Sequence, residues 1–355
     1  MKRRSFLAIG AAAGLARGQK KPREEAVTAG ATRDATPRVG LITSNYHGSE
    51  DHDGTKIPGL AEPKPLDADL TAAQIEAMLF KALDLGSPIH GGIPSIINSD
   101  DWVVIKPNIA SCYGLESNHI PGAVTDLRIV NSLLKYLVDH KCGARITIAE
   151  GSAKDCWTTT WGGAFGGLSY KQIVDDFSRR YPDIRFEIVD LNFDQTVDLP
   201  VPGKPERTYA IVETIQQCDR LISVAPLKTD RLTGVSLSIK NYSVIAPGAK
   251  NAGGSNNVML DLFSYHPADY AVVGGCWGIE GDGTSVHHNV IIAGTNALSV
   301  DAVATSVMGF TPADLPYFAL AEKRGFGVAD PDVIWIRGAE IDEARRVFRK
   351  PVVSG

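Results

Sequence analysis

The chain has 355 residues, with 36 Lys and Arg against 41 Asp and Glu, a formal net charge of −5 at pH 7 and 44% hydrophobic residues. This length predicts two domains or one large α/β unit, and the composition excludes a collagen-like, disordered or coiled-coil protein. Because the chain is acidic and its one Lys/Arg cluster lies in the first few residues, we expect no nucleic acid partner.

The first residues have the features of an export signal. Met1–Gly18 reads MKRRSFLAIGAAAGLARG, a basic start followed by a short apolar run. A run this short fits a secretory signal, because a membrane span needs about 20 apolar residues. Arg3 and Arg4, followed by Ser-Phe-Leu, resemble the twin-arginine export signal. We therefore expect a signal peptide over residues 1–18, the twin-arginine export machinery as a partner, and a periplasmic or otherwise exported protein.

The next segment separates this signal from the body of the protein. No cysteine follows the apolar run, so the sequence predicts no lipid anchor and no stable membrane anchor after processing. Residues 19–37 are polar and charged without periodicity, which predicts a flexible tether. The remaining residues, 38–350, form the predicted α/β domain.

The cysteine pattern limits the cofactors that the chain can carry. Its five cysteines lie far apart and form no C-x-x-C pair, which argues against an iron–sulfur cluster and a structural zinc site. A disulfide after export remains open, because sequence spacing does not choose a pair.

In the body, short β-branched runs alternate with helical patterns. This alternation predicts an α/β fold with a layered, mostly parallel central sheet flanked by helices. The predicted strands are Arg38–Thr43, Trp102–Lys106, Arg145–Ala149, Arg185–Leu191, Arg220–Ala225, Tyr270–Gly274, Val290–Ala293 and Val333–Ile336. The predicted helices are Thr71–Leu85, Thr125–His140, Ser169–Arg180, Ala297–Met308 and Leu315–Arg324, with Thr125 as a candidate N-cap.

Three predicted strands deliver polar residues where they end. Trp102–Lys106 leads to Asn108, Arg145–Ala149 leads to Glu150, and Arg220–Ala225 leads to Lys228. Ligands of open α/β sheets bind at the carboxyl ends of the strands, so we expect Lys106, Asn108, Glu150 and Lys228 to meet there. Lysines gathered at a concave edge favour an anionic ligand.

Two further segments supply candidate site residues. Residues 233–241 alternate hydroxyl and apolar side chains, which predicts a half-buried strand ending in Lys240 and Asn241 at the same rim. Asp301 lies on a small, mostly apolar helix face, and a buried carboxylate needs a cation or a metal as partner. Lys228 and Lys240 are the candidate partners of Asp301, in a site or in a purely structural ion pair, and our hypothesis pairs Lys240 with it.

Carboxylates near this rim could also hold a divalent metal. Residues 274–283 read GGCWGIEGDG, a strand end followed by a glycine-framed acidic loop in which Glu280 and Asp282 offer oxygen ligands. A tight surface turn would use the same residues. The candidate metal ligands are Glu150, Asp282 and Asp301. Two long segments of little periodicity, 107–124 and 151–168, are candidate lids over the site.

Taken together, these motifs resemble the bacterial and archaeal family called domain of unknown function 362. The matching stretches, in chain order, are VVIKPN at 103–108, APLKT at 225–229, TGVSLSIKN at 233–241, EGDG at 280–283, IIAG at 291–294 and VDAVA at 300–304. The resemblance implies an α/β domain with a shared polar site. It also implies that the following residues belong together: Lys106, Asn108, Lys228, Lys240, Asn241, Asp282 and Asp301. Family members often carry a His soon after the second lysine, where this chain has Asp230.

The sequence therefore predicts an exported α/β protein that binds an anionic small molecule or cofactor in a Lys/Asn/Asp/Glu cleft, with a divalent metal as an option. In this hypothesis Lys106 and Lys228 neutralise the ligand, while Asn108 and Asn241 orient it. The alternative is a periplasmic enzyme, either a metal-assisted hydrolase or a cofactor-dependent redox protein. A scaffold protein with no clustered lysines is the third possibility.

Overall fold

The computed structural model describes residues 36–51, 54–109, 121–151, 156–160, 167–249, 255–281 and 283–351. The predicted signal peptide and nearly all of the predicted tether lie outside the described residues. Much of both candidate lids does too, so these features stay predictions.

The described residues form thirteen strands and eight α-helices. The strands are β1 (Arg38–Thr43), β2 (Gly48–Glu50), β3 (Lys56–Pro58), β4 (Trp102–Lys106), β5 (Arg145–Glu150), β6 (Arg185–Asp190), β7 (Thr196–Val201), β8 (Lys204–Val212), β9 (Arg220–Asp230), β10 (Gly234–Ser236), β11 (Tyr270–Glu280), β12 (Thr284–Gly294) and β13 (Trp335–Gly338). The helices are α1 (Ala72–Gly86), α2 (Leu127–Asp139), α3 (Tyr170–Arg180), α4 (Glu213–Gln217), α5 (Asn256–Phe263), α6 (Ala297–Val307), α7 (Pro316–Lys323) and α8 (Ile341–Ala344).

One sheet of nine strands organises the described fold. Its order is β13-β1-β12-β11-β9-β4-β5-β6, and β10 pairs with β9. Strand β12 is antiparallel to both neighbours and β10 is antiparallel to β9, whereas the other pairs are parallel. The predicted α/β fold with a mostly parallel central sheet is confirmed. The described residues belong to one compact unit, which spans residues 34–355.

The eight predicted strands and five predicted helices are present, but several boundaries differ. Strands β9 and β11 continue well beyond the predicted ends, to Asp230 and Glu280. The predicted strand over 233–241 is wrong beyond Ser236, because only Gly234–Ser236 pairs with β9 and a 3₁₀ helix follows at Lys240–Val244. Among the described helices, none is both long and apolar enough to cross a membrane.

The start of α2 also differs from the prediction. Asp126 is its N-cap and accepts a hydrogen bond from the backbone N–H of Arg128. Thr125, the predicted cap, donates instead to the carbonyl of Val224 at 2.7 Å and accepts from Asn108 N–H at 2.8 Å. Thr125 therefore links the segment after β4 to β9, next to the carboxyl edge of the sheet.

Helix α1 packs close to the sheet at its last residue, Gly86. Thr71 and Gln74 form a capping box at the start of α1, and the α1 residues Ile75, Leu79 and Leu83 are buried. A Cβ on Gly86 would lie 2.1 Å from the backbone oxygen of Ala293 in β12, which no side chain can tolerate. The close approach of α1 thus requires glycine at this position.

We predict that Gly86→Ala lowers the free energy of unfolding by at least about 2 kcal/mol, because the new methyl group forces the helix away from β12. Urea unfolding followed by circular dichroism measures the change. The matched control is Gly248→Ala, because Gly248 has open space around the Cβ position. This control should stay within about 1 kcal/mol of the parent protein. Equal stabilities of the two variants would contradict the close packing of α1.

Candidate functional site

A cavity of about 230 Å³ lies where β4, β5 and β9 present their carboxyl-terminal residues. Its lining is almost entirely polar: Lys106, Asn108, Glu150, Lys228, Asp230, Ser236, Lys240, Asn241, Ser243 and Val244. The structure therefore brings six of the eight predicted site residues to one place. Of the other two, Asp301 is not among the lining residues and Asp282 lies outside the described residues.

A buried ion pair forms the floor of this cavity. The amine of Lys106 lies 2.7 Å from Glu150 Oε2, and the two side chains are 0% and 2% exposed. Lys106 also donates to Asn241 Oδ1 at 3.0 Å and to the carbonyl of Pro107 at 3.1 Å. These three acceptors use the three N–H donors of the ammonium group. Contrary to the sequence hypothesis, Lys106 has its charge compensated within the protein.

Both carboxylate oxygens of Glu150 also accept hydrogen bonds from backbone N–H groups. Glu150 Oε1 accepts from Gly151 N–H at 2.7 Å, and Oε2 accepts from Ile109 N–H at 3.3 Å. Glu150 thus ties the end of β5 to the segment that follows β4.

Two asparagines connect the ion pair to the rest of the site. Asn241 donates to the carbonyl of Lys106 at 2.9 Å and to Ser223 Oγ at 3.1 Å. Asn108 Nδ2 donates to Asn241 Oδ1 at 3.2 Å, and Asn108 Oδ1 accepts from Lys228 Nζ at 2.9 Å. This chain of hydrogen bonds fixes both amide orientations, because each oxygen faces an ammonium group and each nitrogen faces an acceptor.

Lys228 has a different environment from Lys106. Its Nζ donates to Asn108 Oδ1 and, at 3.1 Å, to the carbonyl of Ala123, and both acceptors are neutral. Within the described part of the chain, no carboxylate lies at ion-pair distance from this amine. Burial lowers the pKa of Lys228 to about 8, with Glu150 opposing and Lys106 reinforcing the shift. Lys228 is therefore the cavity lysine whose charge is not compensated by a direct partner.

Lys240 pairs with a residue that the sequence hypothesis did not choose. Its Nζ lies 2.6 Å from Asp230 Oδ1 and 3.3 Å from Thr233 Oγ1. Burial disfavours the Asp230 carboxylate, but the hydrogen bond and charge of Lys240, together with N–H bonds from Leu232 and Thr233, outweigh burial and keep the pKa of Asp230 below its usual value. The predicted pair between Lys240 and Asp301 is wrong, because β9 extends far enough to bring Asp230 to Lys240.

Asp301 instead anchors the turn that carries Lys240 and Asn241. The carboxylate, 0% exposed, accepts from Ser238 N–H at 2.9 Å, from Ile239 N–H at 3.0 Å and from the Ser238 hydroxyl. Burial raises the pKa of Asp301 to about 7, and these hydrogen bonds oppose the rise. Both oxygens are thus committed to backbone N–H groups, which makes Asp301 a positioning residue in place of the predicted metal ligand.

The remaining metal candidates do not assemble a site in the described residues. Asp282 lies outside the described residues. Glu280 accepts from Arg349 N–H at 2.9 Å and from its Nε at 2.8 Å, at the surface end of β11. In the part of the chain that the structure describes, no three His, Cys, Asp or Glu side chains are grouped so that they could hold a metal ion.

Three polar lining residues were missed from sequence: Asp230, Ser236 and Ser243. Asp230 could have been found, because it lies two residues after Lys228 on β9 and alternate residues of a strand share a face. Ser236 pairs with Lys228 across β9 and β10, a register that depends on the turn between those strands. Ser243 lies on the 3₁₀ helix after Asn241, whose position depends on Asp301.

The charged side chains that line the cavity leave one excess positive charge. Among the described lining residues, Lys106 is balanced by Glu150 and Lys240 by Asp230, which leaves Lys228. Below the pKa of Lys228 the cavity therefore carries a net charge of one positive unit. A partly desolvated site with this excess favours an anion over a neutral molecule.

Comparison with known proteins assigns the family. Residues 103–306 match the family model described as Domain of unknown function (DUF362), which is more than half of the chain. The chain belongs to the DUF362 family. The matched segment contains every described residue that lines the cavity, so the cavity is part of the DUF362 domain.

Among solved structures, the chain is similar to the lactate racemase apoprotein from Thermoanaerobacterium thermosaccharolyticum, with a TM-score of 0.34 and 11% sequence identity. The similarity covers 64% of this chain and 55% of that one, so this DUF362 chain spans about half the length of that protein. No match to the chain was found among the curated proteins.

We predict that Asp301→Asn removes a specific pH dependence of stability. The carboxyl of Asp301 keeps its proton up to about pH 7 in the folded protein but loses it near pH 3.9 when unfolded. Its contribution is therefore present below pH 4 and is lost as the pH rises through 7. The stability of the parent protein relative to Asp301→Asn should fall by about 4 kcal/mol between pH 4 and pH 8.

Urea unfolding of both proteins across this pH range measures the difference. The comparison cancels the titration of all other groups, because the two chains differ at one carboxyl. A stability difference that stays constant from pH 4 to pH 8 would show that Asp301 is ionised throughout.

Proposed function

We propose that this DUF362 protein binds a small anion with one negative charge in the cavity of Lys106, Lys228 and Lys240, after export through the twin-arginine pathway. The observation that carries the first part is the unbalanced amine of Lys228 among two balanced ion pairs. The anion supplies the counter-charge that the protein does not place beside this lysine.

The size of the cavity restricts the ligand. A volume of about 230 Å³ lies below the roughly 300–1,000 Å³ typical of sites for drug-sized molecules. The ligand is therefore a molecule of few heavy atoms, such as a short carboxylate. A larger cofactor would need to extend out of the cavity.

The lining offers hydrogen-bond donors for such an anion. Lys240 uses two acceptors, Asp230 and Thr233, so one N–H of its ammonium group is available to the ligand. Ser236 and Ser243 contribute hydroxyl groups to the same wall. Lys106 lies at the floor of the cavity, and it contributes to ligand binding by positioning Asn241 and Asn108.

We predict that Lys228→Met weakens anion binding at least tenfold, a loss of about 1.4 kcal/mol, because it removes the excess positive charge. Calorimetric titration at pH 7 with acetate, which carries one negative charge, measures the affinity. Sulfate, with two negative charges, and neutral acetamide are the comparison ligands. Acetate should bind more tightly than either of them, since the cavity has one excess positive charge.

The matched control is Lys323→Met, which removes an exposed lysine in α7 far along the chain from the cavity residues. This variant should bind acetate as the parent protein does. Equal acetate affinities of Lys228→Met and the parent protein would contradict the proposal, provided that Lys228→Met and Lys323→Met keep the circular dichroism spectrum of the parent protein.

The export part of the proposal rests on the sequence and on the cysteines. Arg3 and Arg4 precede a short apolar run, as described above. Cys156 is disulfide-bonded, while Cys142, Cys218 and Cys276 are free and buried. The fifth cysteine, Cys112, lies outside the described residues. Disulfides persist in oxidising compartments such as the periplasm, which supports a location outside the cytoplasm.

Replacing both Arg3 and Arg4 by Lys should stop export, because a twin-arginine signal is read by its two guanidinium groups. Cell fractionation and immunoblotting of the full chain in a bacterial host measure the periplasmic share. The control is Arg17→Lys, which makes the same change outside the arginine pair. Export of the double variant at the parent level would contradict the proposed route.

A further inference from the structure

We propose that Lys228 reacts covalently and reversibly with its ligand: its Nζ condenses with the carbonyl carbon of a small oxo acid to form an imine. This inference rests on the proposed function, because the carboxylate of the oxo acid is the anion that the cavity binds. It adds a ligand class, a short carboxylic acid with an aldehyde or ketone group, and a reactive atom.

The three cavity lysines differ in whether their amine is available to attack a carbonyl carbon. Lys106 has three acceptors, one of them the Glu150 carboxylate, so its amine is held in the charged form without a free lone pair. Lys240 lies 2.6 Å from the carboxylate of Asp230 and forms an ion pair with it. Lys228 faces only the amide oxygen of Asn108 and the carbonyl of Ala123.

The two contacts of Lys228 match the needs of a neutral amine. A neutral primary amine has two N–H bonds and one lone pair, and the two oxygens accept both N–H bonds. The lone pair is then left for the cavity that Lys228 lines. Burial adds to this arrangement, because it brings the pKa of Lys228 to about 8 and so supplies neutral amine close to physiological pH.

The neighbouring groups can hold the rest of an oxo acid. The free N–H of Lys240 and the hydroxyl groups of Ser236 and Ser243 are donors for its carboxylate. Ser236 pairs with Lys228 across β9 and β10, so an oxo acid held at these donors lies beside the Lys228 amine. A larger carbonyl compound would extend out of the volume of about 230 Å³.

The reaction is balanced without any further reagent. The lone pair of Nζ attacks the carbonyl carbon, a C–N bond forms, and the carbonyl oxygen becomes a hydroxyl group of a carbinolamine. This oxygen then leaves as water with the two protons that the amine carried, and a C=N bond remains. No electron is gained or lost, and hydrolysis returns the lysine and the oxo acid.

Reductive trapping of the full chain with glyoxylate and cyanoborohydride at pH 8 tests the proposal. Reduction of the imine leaves a carboxymethyl group on the lysine, which peptide mass spectrometry locates. At pH 8 about half of Lys228 is neutral, against less than about 1% of an ordinary lysine. We expect labelling of Lys228 at least about tenfold above that of Lys240 and Lys323, and protection of Lys228 by excess acetate.

Labelling of exposed Lys323 at the level of Lys228 or above it would overturn the proposal without the need for any variant. Acetaldehyde, which has no carboxylate, should label Lys228 with less preference than glyoxylate does. An equal preference would remove the oxo acid from the proposal.

Lys228→Arg separates this inference from the proposed function. Arginine offers no amine for condensation, so this variant should lose the carboxymethyl label at position 228, while acetate binding is measured on the parent protein. If the parent protein binds acetate but is not trapped at Lys228, the imine is wrong and anion binding stands. If acetate does not bind and glyoxylate does not label Lys228, both proposals fail.

Discussion

The buried ion pair between Lys106 and Glu150 is the constraint on which the candidate site depends. Its two charges come from the ends of adjacent parallel strands, β4 and β5, and neither is open to water. Removing one partner of such a pair costs about 3–5 kcal/mol, because the other charge is left buried without compensation. The Glu150 carboxylate also accepts N–H bonds from Ile109 and Gly151, and Asn241 completes the hydrogen bonds of the Lys106 amine.

Three lysines share this one small cavity, but their amines have different hydrogen-bond partners. Lys106 is saturated by acceptors, Lys240 is matched with Asp230, and Lys228 is held by two neutral oxygens. In the function that we propose, the same residue type serves as a structural cation, a ligand-binding cation and a candidate nucleophile. The difference lies in the partners of each amine and not in the lysines themselves.

The central sheet and most of the site were predictable, because both follow from local patterns. Apolar β-branched runs such as Trp102–Lys106 mark buried parallel strands, and the carboxyl ends of such strands converge. The hairpin of β7 and β8 was missed, since its strands are mostly exposed and lack clear alternation. The role of Asp301 was also missed. Its partners are backbone N–H groups more than sixty residues away, which no spacing in the sequence reveals.

The central claim is that Lys228 is a buried amine without a carboxylate partner, and its ionisation tests this most directly. Nuclear magnetic resonance of lysine Cε carbons, with the Lys228 signal assigned by its loss in Lys228→Arg, gives the pKa of this single group. The account predicts a pKa of about 8, because burial disfavours the charged form. A pKa near the ordinary lysine value of about 10.4 would contradict it, since the amine would then be solvated or paired.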